Sequence, residues 1–203
     1  MLKNLEILDQ QALLWIHKNL SNPIFNTFMP LITEEENWII PISILVIFLC
    51  IFAKKKGKIA IIILLIALAL TDFICAQYIK PFVERIRPSH LGLEGLNLLV
   101  KKGGKWSMPS NHAANMFTFA TILSFFYERY KPFLFLLASL IAFSRVYVGV
   151  HFPGDVLFGA LIGFLLSCFL LTIWNHIKVR ELMKGKSWVW YETPNSHFKK
   201  LVR

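Results

Sequence analysis

Residues 59–79 read IAIIILLIALALTDFICAQYI, a run of 21 residues in which Asp72 is the single charged side chain. An α-helix rises about 1.5 Å per residue, so this run extends over ~32 Å, close to the thickness of a bilayer's hydrocarbon core. Inside lipid, the backbone polar groups of a lone segment must be satisfied within that segment, which a helix does. The run therefore predicts a membrane-spanning helix.

The rest of the chain repeats this pattern. Apolar residues make up 56% of the 203 residues, which excludes a disordered chain and exceeds what a small soluble core needs. We therefore predict an all-α membrane protein, a transmembrane helical bundle with five spans. The predicted spans are residues 38–53, 59–79, 113–127, 132–148 and 156–177.

The N-terminal region, residues 1–37, has a different pattern. Leu5 and Leu8 belong to an apolar face at helical spacing while Asp9 and other polar residues occupy the opposite side, which predicts an amphipathic helix in the membrane plane. Residues 23–33 are apolar but too short to cross, and a sixth span built from this region stays open as an alternative. The predicted organisation is an interfacial region (1–37), a transmembrane domain (38–177) and a basic cytoplasmic tail (178–203).

The distribution of positive charge predicts the orientation of the chain. Lys and Arg number 22 against 12 Asp and Glu, a net charge of +10, and thirteen of these cations fall on one side if the spans alternate. Cytoplasmic loops hold the Lys/Arg excess near span ends, so that side is predicted to be cytoplasmic. A basic tail with tryptophans suits an anionic leaflet, and the charge needs no nucleic-acid partner. The cationic segments are 54–58, 129–131 and 178–203, and the external segments are 80–108 and 149–155.

Unusual polar residues gather on the predicted external face in three clusters. In the first, Lys80 and Arg87 are seven residues apart, close to two helical turns, so both cations can face one point. Pro88 disfavours helix at Arg87, so the element is expected to end there. In the second, Ser110 is a candidate N-cap of the third span, and the free N–H groups of a helix start suit an anion.

The third cluster follows the fourth span. Arg145 comes near the end of that span, and Asp155 lies four residues after His151, near enough to accept a hydrogen bond from one imidazole nitrogen. With His112 from the second cluster, the external face carries three cations, two helix starts and two histidines. This combination predicts a site for an oxyanion.

The three clusters resemble the signature of the type 2 phosphatidic acid phosphatase (PAP2) superfamily of integral-membrane enzymes. That signature is Lys, six residues, Arg-Pro; then Pro-Ser-Gly-His; then Ser-Arg, five residues, His, three residues, Asp. This chain departs from it at Asn111, where Gly is commonest, and the extra amide beside the phosphate pocket could alter substrate preference. The matching segments are KPFVERIRP (80–88), PSNH (109–112) and SRVYVGVHFPGD (144–155).

The resemblance implies a PAP2-type bundle and a role for each matching residue. His151 would attack phosphorus and form a phosphohistidine, Asp155 would orient it, and His112 would protonate the leaving group and then activate water. Phosphoryl transfer depends mainly on positioning and charge stabilisation, so fixed cations can do what magnesium does elsewhere. We therefore expect no metal and no cofactor. The residues implied to hold the phosphoryl oxygens are Lys80, Arg87, Ser110 and Arg145.

Other roles are open to these polar residues. His112, His151 and Asp155 could ligate a metal, but three neighbouring cations would repel a divalent ion. Asp72 is costly inside a span, and it is expected either to pair with an external cation or to pack against a polar helix neighbour. Arg85 is expected to be solvated or paired with the adjacent glutamate, outside the catalytic set.

The predicted function is hydrolysis of a phosphomonoester or pyrophosphate on a membrane lipid. Lipid A 1-phosphate and undecaprenyl diphosphate are favoured as substrates, with phosphatidylglycerol phosphate and phosphatidic acid as further candidates. The predicted partners are this lipid phosphate and the bilayer, and the predicted location is a bacterial inner (plasma) membrane with the site on the external, periplasmic face. A lipid phosphotransferase and a non-enzymatic anion transporter remain alternatives.

Overall fold

The computed structural model describes residues 2–190, which form a helical bundle. Short 3₁₀ turns precede two of the long helices, and a π-helical turn, Ile74–Ile79, joins the fourth and fifth helices. The α-helices are α1 (Leu2–Leu20), α2 (Pro23–Thr33), α3 (Ile39–Phe52), α4 (Lys54–Phe73), α5 (Lys80–Val83), α6 (Pro88–Leu91), α7 (Asn111–Phe126), α8 (Lys131–Tyr147) and α9 (Pro153–Met183).

Four of the five predicted spans are confirmed as helical stretches long and apolar enough to cross a membrane. They are Glu35–Phe52, Lys54–Val83, Glu128–Tyr147 and Pro153–Met183. The remaining prediction, residues 113–127, corresponds to α7, whose 16 residues fall short of the others in length. By length and composition alone, the described residues therefore contain four candidate spans.

The short helix α7 lies at the centre of the bundle, in contact with α4, α8 and α9. Asn111 at its start donates a 2.7 Å hydrogen bond to Asp72, while the Tyr127 ring just after its end lies 5.1 Å from the Lys56 ammonium. Because Lys56 and Asp72 stand near opposite ends of α4, α7 extends along most of that helix. It can be short because protein covers much of its surface.

Close packing of α7 on α9 depends on a missing side chain. A Cβ atom at Gly163 would overlap the backbone oxygen of Ala114 and lie 3.0 Å from the Thr118 hydroxyl oxygen. Small residues at such crossings let two helix backbones approach closely within a membrane. Gly163 therefore sets the distance between α7 and α9.

The N-terminal region contains the predicted helix, α1. In α1, Leu5 and Leu8 are exposed while Leu13 and His17 are buried against the bundle. The ring of His17 accepts from the Asn97 backbone and lies 3.1 Å from the Val146 oxygen, at the end of α8 that follows Arg145. α2 has only 11 residues, and among the described residues before α3 no helix is both long and apolar enough to cross.

The predicted tail, 178–203, includes the end of α9. α9 continues through its first six residues, to Met183. The Trp190 ring then lies 4.4 Å from the Lys56 ammonium and 4.5 Å from that of Lys178. The start of the tail therefore packs on the end of the bundle opposite Asp72, and residues 191–203 lie outside the described chain.

Candidate active site

Lys80 and Arg87 converge on one cavity, although not by the predicted helical spacing. The helix stops after Val83, where Glu84 takes a left-handed conformation with φ 50°, earlier than the end expected next to Pro88. The following residues are extended, and Arg87 Nε donates a 3.0 Å hydrogen bond to the Trp106 oxygen. Pairing with a loop, rather than two helical turns, aims Arg87 at the site.

Ser110 is confirmed as the N-cap of α7. Its hydroxyl accepts from the Ala113 amide at 3.5 Å, and its own amide donates to the Asp155 carbonyl oxygen at 3.0 Å. The starts of α7 and α9 are thereby held together. Ser110 and Asp155 are fully buried behind the cavity wall, whereas Asn111 and His112 line the cavity.

His151 and Asp155 face each other as the spacing predicts. Nδ1 of His151 lies 3.6 Å from one carboxylate oxygen, Oδ2, which is too far for the predicted hydrogen bond. That oxygen accepts instead from the Phe152 amide at 2.8 Å. Burial lowers the pKa of His151 to about 4, opposed by its contact with Asp155 and reinforced by the charge of Arg87. The imidazole is therefore neutral at pH 7, and its Nε2 is the nitrogen left to face the cavity.

The cavity measures about 1090 Å³ and has two chemically different parts. One end is polar and cationic, whereas the remainder is an apolar slot between α3, α7 and α8 that reaches Tyr127. A charged headgroup at the cationic end could therefore keep a hydrocarbon chain in the slot. The predicted site residues at the cationic end are Lys80, Arg87, His112, Arg145 and His151.

Arg85 belongs to the site, and the expectation of a solvated side chain is wrong. Its guanidinium lies 2.7 Å from Asp155 Oδ1, 2.7 Å from Asp9 Oδ2, and 4.1 Å above the Phe152 ring. Asp9, from α1, also accepts a 2.7 Å hydrogen bond from the Gly154 amide. Arg85 thus pairs with Oδ1 of Asp155, the carboxylate oxygen that does not face His151.

Two further contacts with site residues come from outside the motifs. Thr33, the last residue of α2, accepts a 2.8 Å hydrogen bond from Arg145, whose Nε is buried without a partner among the described residues. Glu35 Oε1 lies 3.1 Å from His112 Nε2. No motif or spacing marks Asp9, Thr33 or Glu35, because each reaches the site only through tertiary packing.

The two options for Asp72 are resolved in favour of polar neighbours. Its Oδ1 accepts from the side-chain amides of Asn111 and Asn115, at 2.7 and 3.4 Å. Asp72 and both asparagines line the same cavity as the cations. Asn111, the departure from the usual signature, is thus tied to the one acidic residue of the second predicted span.

Comparisons with known proteins agree with this geometry. The sequence model of the PAP2 superfamily matches residues 60–178. The chain is 32% identical over 170 residues to a lipid A 4'-phosphatase of Bacteroides thetaiotaomicron, covering 80% of this chain and 75% of that protein. It is 33% identical over 144 residues to an undecaprenyl-diphosphatase of Sulfolobus acidocaldarius, covering 69% and 65%.

Solved structures give the same result. The crystal structure of LpxE from Aquifex aeolicus superposes with a TM-score of 0.61 at 34% identity, covering 80% of this chain and 94% of that one. A PAP2-type phosphatidylglycerolphosphate phosphatase from Bacillus subtilis superposes with a TM-score of 0.59 at 25% identity, covering 83% and 87%. The chain therefore belongs to the PAP2 superfamily and is a membrane lipid phosphatase.

Proposed function

We propose that the protein removes a phosphate group from a phosphomonoester or diphosphate carried by a cell-envelope lipid. The observation that carries the proposal is the single cavity with both histidines and three cations at one end and an apolar slot along the rest. The relatives act, by name, on lipid A phosphates, undecaprenyl diphosphate and phosphatidylglycerophosphate. Lipid A phosphate and undecaprenyl diphosphate are the favoured substrates, with phosphatidylglycerol phosphate and phosphatidic acid as further candidates.

The proposed reaction has two displacements at phosphorus. First, Nε2 of neutral His151 forms a bond to phosphorus while the bond to the leaving oxygen breaks, and His112 gives that oxygen its proton. Next, His112 takes a proton from water, the hydroxide attacks phosphorus, and the P–N bond breaks to release inorganic phosphate. Lys80, Arg87 and Arg145 stabilise the charge on the phosphoryl oxygens throughout. Ser110 contributes by holding the start of α7, since its hydroxyl already caps that helix.

Glu35 has a place in this cycle beside His112. Its carboxylate is mostly exposed, with 81% of the side chain accessible, and it touches the ring nitrogen of His112. An exposed carboxylate in contact with the general acid gives that imidazole a route to exchange its proton with water between turnovers.

The proposed topology places the site at the external face of a bacterial inner membrane. α7 extends from the Asp72 end of α4 to the Lys56 end, so we take it as a fifth crossing. The basic segments 54–58 and 129–131 then share the side on which α9 ends, which is the cytoplasmic side by the distribution of positive charge. The cationic end of the cavity lies on the opposite side.

The experiment that tests this function is a phosphate-release assay in detergent on a panel of purified lipid phosphates. Hydrolysis predicts release of free inorganic phosphate. The release should continue in the presence of a chelator, because the cations of the site are side chains. A new phosphodiester would indicate a phosphotransferase instead. Labelled phosphate crossing sealed vesicles with the His151→Ala protein would indicate a transporter, and turnover lost in chelator and restored by a divalent ion would contradict the metal-free mechanism.

The acid limb of the pH profile of kcat/KM is expected to lie at low pH. The nucleophile must be neutral, and the pKa of His151 is lowered to about 4 by burial. Its active form is therefore kept as pH falls through 6.5 and is lost only as pH approaches about 4. Initial rates from pH 3 to 10 check this, and an acid limb at or above 6.5 would contradict a buried neutral nucleophile.

Arg85→Met is expected to lower kcat by about 10–100-fold with little change in KM, the usual cost of losing a partner that orients a reacting group. Without the guanidinium, Asp155 acts more strongly on His151, so the acid limb of the pH profile should move to higher pH. Arg85→Lys should restore part of kcat. Arg129→Met, at an exposed cation outside the cavity, is the matched control. A loss of yield with an unmoved pH profile would mean that Arg85 serves only folding.

A further inference from the structure

Asp72 is an acidic residue in a cavity whose three cations suit an anion. It lies in the last turn of α4, is exposed, and lines the cavity with Lys80, Arg87 and Arg145. A carboxylate there repels a phosphoryl group and is costly inside a membrane span. Its position therefore calls for a function other than phosphate binding.

The two amides of α7 orient this carboxylate. Asn111 and Asn115 are four residues apart, so both face α4 from one side of their helix. Both donate to the same oxygen of Asp72, Oδ1. A carboxylate has about four lone-pair positions, and among the described residues no donor reaches Oδ2. One acceptor oxygen is thus held in place with capacity to spare.

The residue that holds Asp72 is a sequence neighbour of a predicted catalytic residue. Asn111, which holds Asp72, directly precedes His112 in the first turn of α7. A ligand whose phosphoryl group lies between His112 and His151 therefore places the atoms next to its phosphorus in the cavity that Asp72 also lines. Those atoms must be hydrogen-bond donors if the contact is to stabilise the complex.

We propose that Asp72, oriented by Asn111 and Asn115, recognises hydroxyl or amide N–H groups beside the scissile phosphate, so that the substrate is a saccharide-bearing lipid phosphate. The proposal rests on the proposed function, because it supposes that the phosphate lies among the cations. Lipid A offers sugar hydroxyl and amide donors near its phosphates. Undecaprenyl diphosphate offers only phosphate oxygens and a hydrocarbon chain, and it brings extra negative charge towards Asp72.

The test compares two substrates on each of three proteins. Phosphate release from lipid A and from undecaprenyl diphosphate is measured in detergent. The readout is the kcat/KM for lipid A divided by the kcat/KM for undecaprenyl diphosphate. For Asp72→Leu the ratio should fall by roughly tenfold or more, since a site built to bond a donor loses its discrimination without the acceptor. Gln77→Leu removes a polar side chain from the π-helical turn outside the cavity and should leave the ratio unchanged.

The outcomes separate this inference from the function on which it rests. A wild-type protein that releases phosphate from none of the lipids contradicts the proposed function. A second outcome is that Asp72→Leu releases phosphate and its ratio stays within threefold of the wild-type ratio, because kcat/KM falls equally for both substrates. That result overturns the inference and assigns Asp72 a purely structural role. If Asp72→Leu does not fold, Asp72→Asn keeps the shape without the charge, and its ratio must fall in the same direction.

Discussion

Replacing His151 with alanine is expected to abolish turnover and the covalent phosphoenzyme together. The ring is 1% exposed, lines the cationic end of the cavity and turns Nδ1 towards Asp155. Removing a covalent nucleophile of this kind costs roughly 10⁴-fold or more in kcat, because the remaining groups can bind the phosphate but none of them forms the bond to phosphorus. Rapid quenching of the wild-type protein with labelled substrate should trap acid-labile phosphate on the chain, and the variant should trap none.

A matched control for this experiment is His176→Ala. His176 is an exposed imidazole near the far end of α9, bonded to the backbone oxygen of Thr172. Its replacement should leave both turnover and the trapped phosphate unchanged. A His151→Ala protein that retains more than about one hundredth of wild-type kcat would contradict nucleophilic catalysis by this ring, since loss of a covalent nucleophile costs far more than that.

Gly163→Ala is expected to destabilise the bundle more than any loop glycine substitution. The added Cβ would occupy the position of the Ala114 backbone oxygen, and backbone of a central helix cannot move aside as a flexible side chain can. Overpacking of this severity costs about 3 kcal/mol, or roughly 6–12 °C in Tm for a chain of this size. Thermal unfolding in detergent, followed by tryptophan fluorescence, measures the shift.

The same substitution should also reduce kcat, because α7 and α9 bring the two histidines to one cavity. Gly104→Ala is the control: nothing lies within 4 Å of a Cβ at that position. Equal melting temperatures for the two variants would show that α7 and α9 can separate without cost, against the packing described above.

The spans and the motif residues could be predicted because their signals are local. Long apolar runs specify helices in lipid whatever their neighbours do. The fixed offset from His151 to Asp155 brings the two side chains together where α9 begins. The convergence of Lys80 and Arg87 was expected on the basis of a continuous helix. The helix ends after Val83 instead, and the contact of Arg87 with Trp106 produces the convergence.

Contacts between distant parts of the chain could not be predicted in this way. The pairing of Asp9 with Arg85 joins residues from α1 and from the loop after α5, and its geometry depends on how α1 packs against the bundle. Neither hydropathy nor spacing specifies that packing. The central position of α7 could not be predicted for a related reason, since a hydropathy pattern does not distinguish a helix covered by lipid from one covered by protein.

The bridge from Asp9 to Arg85 makes the site larger than the segment that the superfamily model matches. The superfamily match begins at residue 60, yet a carboxylate from the first helix neutralises the arginine that holds Asp155. A chimera that transplants residues 60–178 behind a foreign leader would keep every signature residue and lose this counter-ion. Grafting experiments in this family should therefore carry the native first helix along with the motifs.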